Sequence, residues 1–73
     1  MSSLTVYRVW PMDSENEWWW LLDESEASAI EAVALLKHLD PLKFAAAPDE
    51  HHDLPEGIVM DHHGKTETIR RKR

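Results

Sequence analysis

The sequence predicts an α+β fold in which a small antiparallel sheet, opened by an N-terminal β-hairpin, packs on one amphipathic α-helix. Three observations lead there. Two short runs rich in β-branched and aromatic residues, Leu4 to Trp10 and Glu17 to Leu22, flank a polar loop that begins at Pro11. A helical stripe follows them directly, with a capping signal at its start and a proline just past its end. The whole chain is 73 residues, enough for one domain and one modest core.

In the first run Leu4, Val6, Arg8 and Trp10 alternate with Thr5, Tyr7 and Val9, the period of a strand. The second run folds back on it as the economical pairing. Within that run Trp18, Trp20 and Leu22 share one face, and Trp19 and Leu21 the other. Both faces are therefore apolar, and one helix covers only one of them. At least one tryptophan is expected to stay partly exposed on the other side or to lie under the C-terminal segment.

Asp23 with Glu26 three positions on makes a capping box, and Ser25 competes as the cap. Ala29, Ala32, Val33, Leu36 and Leu39 form the expected core stripe, flanked by Ile30 and Leu35. Lys37 and His38 suit the negative end of the helix dipole, and Asp40 before Pro41 is driven out of helical geometry. The helix is expected to stop near Leu39. For Leu42 to Ala47 a strand is favoured over a short helix capped by Asp40-Pro41. Residues 48–57 are expected as a flexible acidic loop ending at Gly57. Ile58 to Met60 and Thr66 to Ile69 suggest a marginal hairpin, so the C-terminal region is expected to be irregular or weakly stranded. The domain then spans 1–69, with a mobile basic tail at 70–73.

Charge is unevenly divided. Residues 1–64 set three bases against thirteen acids, a balance of −10, whereas residues 65–73 carry five bases and one acid, a balance of +4. An acidic body repels nucleic acid at long range. Autonomous DNA binding is thus disfavoured, although Arg70, Arg71, Lys72 and Arg73 would reach RNA or DNA phosphate once the body is docked. The chain has no cysteine, and its first residues hold no basic head followed by an apolar stretch. A reducing cytoplasm is the expected location, with no membrane span.

The chemistry of the residues points to binding. Two glycines far apart form no phosphate-cradling loop, and the serines sit at the terminus, in a loop or near a cap. No enzyme activity is expected. His51-His52-Asp53 and Asp61-His62-His63 contain ordinary metal ligands, but neighbours in an extended segment point opposite ways, so neither a metal nor another cofactor is expected. Tryptophan and tyrosine bring large rigid contact area and are enriched at binding hot spots. Leu4, Val6, Tyr7, Trp10, Trp18 and Trp20 are accordingly the expected partner-binding residues.

The opening Met1-Ser2-Ser3-Leu4-Thr5-Val6-Tyr7-Arg8-Val9-Trp10, the triple tryptophan and the Arg70-Arg71-Lys72-Arg73 end, taken over the entire 73-residue extent, resemble the small RNA-polymerase-binding transcription regulator of a lytic Xanthomonas phage. The resemblance implies binding to the N-terminal segment of the largest subunit of bacterial RNA polymerase, in the host cytoplasm, near the RNA exit channel. On the holoenzyme it implies interference with the sigma factor and inhibition of initiation; on an elongating complex with NusA it implies antitermination. It carries no transferable residue motif, and the basic tail would then face nascent RNA. An alternative from another class is an acidic mimic of nucleic acid that inhibits a host defence complex such as a CRISPR effector, using Glu24, Glu26, Glu31 and Asp40.

Overall fold

The computed structural model describes residues 4–14, 16–50 and 52–69. The elements run β1 (Thr5–Pro11), β2 (Trp19–Asp23), α1 (Glu26–Lys37), a 3-10 turn (Pro41–Lys43), β3 (Phe44–Pro48), β4 (Ile58–Asp61) and β5 (Thr66–Thr68). The five strands form one sheet in the order β3-β1-β2-β4-β5, with every neighbouring pair antiparallel. The expected α+β class and N-terminal hairpin are both present. In the C-terminal region β3 falls where the sequence favours a strand, and β4 and β5 form the hairpin expected to be marginal.

The hairpin register sets Val9 opposite Trp19, Tyr7 opposite Leu21 and Thr5 opposite Asp23. These pairs face the helix, because directly opposed residues point to the same side of a sheet. Phe44 opposite Pro11, Ala46 opposite Val9 and Val59 opposite Leu21 extend that face to the outer strands. Pro11, which lacks an N–H, sits at the end of its strand where the ladder does not require one. The core consists of Val9, Trp19, Leu21, Phe44 and Val59 from the sheet, packed on Ala29, Ala32, Val33 and Ala34 of the helix. Alanine on the helix face lets the backbone approach the Trp19 and Phe44 rings, which meet edge-on at 6.1 Å.

Several boundaries differ from expectation for local reasons. Strand β2 begins at Trp19 instead of Glu17 and includes Asp23. Asp23 is fully buried at the strand end and accepts the Glu24 N–H at 2.7 Å, so Ser25 caps the helix through the Ser28 N–H at 3.1 Å. The helix ends at Lys37, not near Leu39. His38 takes the left-handed conformation (φ 58°), the Leu39 N–H bonds the Ala34 carbonyl and the His38 N–H bonds that of Leu35, the Schellman arrangement with histidine where glycine is usual. Leu39 therefore leaves the core stripe and is 53% exposed, and Leu35 on its flank is 74% exposed.

Both alternatives for residues 42–47 occur in succession. Asp40 caps the short 3-10 turn by accepting the Leu42 N–H at 3.0 Å, and the strand begins immediately after it at Phe44. The hairpin of β4 and β5 is held at both ends. Asp61 accepts the N–H groups of His63 and Lys65, each at 2.9 Å, Gly64 supplies the positive φ of the turn, and the Ile69 N–H bonds the Gly57 carbonyl at 2.8 Å. Pairing of Trp20 with Met60 and Leu21 with Val59 then joins the hairpin to β2. That second sheet neighbour is what a short hairpin needs to persist.

Candidate partner-binding face

The helix covers one side of the sheet. Side chains that alternate with the core residues point the other way, and there β1 contributes Val6, Arg8 and Trp10, β2 contributes Trp20 and Leu22, β3 contributes Ala45 and Ala47, and β4 contributes Ile58 and Met60. Trp18, just before β2, joins them through an edge-on contact with Trp20 at 6.2 Å. Trp10, Trp18 and Trp20 are all half-buried, whereas Trp19 on the helix side is 6% exposed. Three of the four indoles thus belong to the face that the helix leaves open.

Rings continue at both ends of this array. His52 lies 4.3 Å from Trp20 and His62 lies 5.1 Å from Trp18, with His63 4.0 Å beyond it. The Trp20 indole N–H donates to the Asp49 carboxylate at 2.9 Å, and His52 Nε2 stands 3.8 Å from the same oxygen. The segment after β3 is thereby held against the open face, which is how one tryptophan comes to lie under the C-terminal part of the chain. Trp18 Nε1 and His62 Nδ1 are buried with no hydrogen-bond partner among the described residues, a condition that costs about 1–3 kcal/mol per group. Desolvation tends to raise the Asp61 carboxyl at this edge. The Lys65 and His63 N–H groups, together with the charges of His63 and His62, outweigh it and hold the carboxyl below its ordinary value.

Arg8 is the cation of this face. It is exposed, its guanidinium lies 5.1 Å from the centre of the Trp10 ring, and it makes no ion pair among the described residues. Lys37, on the helix side, pairs instead with Glu67 at 2.9 Å and lies over Trp19. Two depressions adjoin Arg8. One is a slot of about 230 Å³ lined by Trp10, Trp18, Ser14, Glu17 and Arg8 itself; the other is a shallower trough of about 530 Å³ lined by Arg8, Ala47, Pro48, Asp49 and Glu50.

Of the partner-binding residues expected from sequence, Val6, Trp10, Trp18 and Trp20 come together on the open side. Val6 is itself buried there. Tyr7 points to the helix side and packs against the core, and Leu4 precedes β1, half-buried. Sequence reasoning missed Arg8, Glu17 and Asp49 as neighbours of the indoles, and Glu50 as a neighbour of Arg8. The strand alternation already put Arg8 beside Trp10, but the approach of Asp49 depends on β3 pairing with β1. Arg70, Arg71, Lys72, Arg73 and His51 lie outside the described residues. Among the described residues no three His, Cys, Asp or Glu side chains gather to hold a metal ion, and no helix is long and apolar enough to cross a membrane. No protein-family model, curated protein or solved structure matches this chain.

Proposed function

We propose that the open aromatic face is a docking surface through which the chain binds bacterial RNA polymerase, near the N-terminus of the largest subunit, in a role without catalysis. The observation that carries docking is the set of half-buried indoles, Trp10, Trp18 and Trp20, on a sheet face with no helix over it. Rigid aromatic area rimmed by charge is the composition of a protein-binding hot spot. The choice of polymerase comes from the resemblance to the phage regulator, as do inhibition of sigma-dependent initiation and antitermination with NusA at the RNA exit channel. An acidic body is suited to a protein surface and unsuited to direct contact with nucleic acid, which leaves RNA contact to the basic tail. A host bacterial cytoplasm follows from that partner.

The test is to immobilise the full chain and pass purified bacterial RNA polymerase core over it. Retention that falls when Trp18 is changed to alanine supports the reading, and absence of retention at low salt overturns it. Deleting residues 70–73 is expected to reduce terminator readthrough more than core retention; an equal loss of both would contradict the division between face and tail.

Nucleic-acid mimicry keeps one specific support, since Glu24, Glu26 and Glu31 are all exposed on or just before α1. Charge reversal at these three positions disables a mimic of a host defence target and leaves docking through the indoles mostly intact.

A further inference from the structure

Resting on the reading of the open face as a docking surface, we propose what that face takes: an extended proline-containing segment of a partner protein with a basic flank. The slot is lined by the indoles of Trp10 and Trp18 together with Arg8, Ser14 and Glu17, and flat aromatic walls receive proline rings well. A polyproline II segment enters such a slot at low entropic cost because it is already extended, and it repeats every three residues over about 9 Å. Its backbone is also unpaired, so each carbonyl is an available acceptor and each non-proline N–H an available donor.

Arg8 and Glu17 supply the matching groups. The exposed Arg8 guanidinium lies over the Trp10 ring, 5.1 Å from its centre, and its five N–H donors are of the type that bonds carbonyls of such a segment. The exposed Glu17 carboxylate across the slot can accept an N–H. A free carboxylate ligand would meet Glu17, and a lone cation would meet Arg8. A neutral backbone with acceptors and donors satisfies both.

The flank is set by what lies past Arg8, since the same arginine borders the trough that holds Asp49 and the exposed Glu50. A segment leaving the indole slot toward β3 therefore passes over a negative surface, on a body whose balance over residues 1–64 is −10. Arginine or lysine following the prolines complements it. A phosphodiester backbone would not, and this charge decides for peptide over single-stranded nucleic acid.

The probe is a synthetic Pro-x-x-Pro peptide ending in two arginines, titrated into the full chain while intrinsic tryptophan fluorescence is followed. Two companion peptides replace the prolines by alanine or the arginines by glutamate. The expected result is saturable binding of the first peptide, about tenfold weaker binding of the alanine peptide, and a several-fold loss with the glutamate flank that shrinks as salt is added. Trp10→Ala is expected to weaken the first peptide by about tenfold or more. Because removing an indole can disturb the sheet, Glu50→Lys at an exposed rim position is the second variant. It should weaken the arginine-flanked peptide and strengthen the glutamate-flanked one. Equal binding of the proline and alanine peptides, or no saturable binding at all, overturns the proposal. Retention of polymerase core by a chain that binds none of the peptides removes this inference and leaves the docking reading standing. Peptide binding without polymerase retention supports the inference and removes the polymerase.

Discussion

On the helix side of the sheet, Trp19 packs with Phe44 and the alanine-rich face of α1, and the cation over its ring, Lys37, is paired to Glu67. On the other side, the described neighbours of Trp10, Trp18 and Trp20 include one another, two histidines, Arg8, Met60 and Asp49, with no helix over them. The same residue type in one strand therefore does two kinds of work. Inward indole contributes to the core, and outward indole is held by the Trp18–Trp20 edge contact and the Trp20–Asp49 hydrogen bond while staying half-buried. A domain of this size has a thin stability margin, so indole area left half-buried on the open side is area that the core does not use.

The sharpest way to break this contrast is to shorten one tryptophan on each side. Trp19→Ala should cost about 3–5 kcal/mol, comparable with the total stability of a small domain, and circular dichroism should report a largely unfolded chain. Trp10→Ala should cost about 1 kcal/mol or less in thermal unfolding and should show its main effect in binding. Similar losses at both positions would erase the distinction between the faces.

A finer probe is the clasp on the open face. Trp20→Phe keeps a ring and removes the N–H that Asp49 accepts, so about 0.5–1.5 kcal/mol of stability should be lost. Faster amide exchange around residues 49–53 should accompany it. No change in exchange would mean that the segment is held by pairing of β3 alone.

A gain is expected at the end of the helix. His38→Gly relieves a left-handed histidine and should raise stability by about 1 kcal/mol, read as a higher melting temperature with partner binding unchanged. A loss there would show that the His38 side chain has a contact that outweighs the backbone strain.

The smallest effect concerns pH. The Asp61 carboxyl is held below its ordinary value, chiefly by the N–H groups of Lys65 and His63 once desolvation is overcome. Its contribution to the β4–β5 turn is therefore present above the unfolded carboxyl range and fades as pH falls through the lower folded value. Asp61→Asn should flatten the acid limb of the stability profile slightly. An unchanged acid limb would assign the pH dependence to other carboxylates.

Much of this architecture is legible in the residues. Period-2 alternation puts Trp18 and Trp20 on one side and Trp19 on the other before any partner strand is known, though not which side the helix covers, and Ser25 is visible as a competing cap. What could not be read depends on contacts distant in sequence. Asp23 looks like a helix cap until β2 is seen to end on it, buried and opposite Thr5. Leu39 fits the helical stripe, and only the left-handed turn at His38 takes it out of the core. The strands β3 to β5 have weak local signals because their stability comes from pairing with β1 and β2. The same reason hid the rim of the site: Asp49 and Glu50 follow a strand whose register on β1 brings them to Arg8.

The central claim is that the side of the sheet without a helix is the one a partner covers. The indole N–H resonances of the four tryptophans, recorded while RNA polymerase core is added, test it directly. The account predicts that the signals of Trp10 and Trp18 shift or broaden first, that Trp20 follows, and that Trp19 changes last. A response confined to Trp19 and the amides of α1, with Trp10 and Trp18 unmoved at saturation, would contradict it.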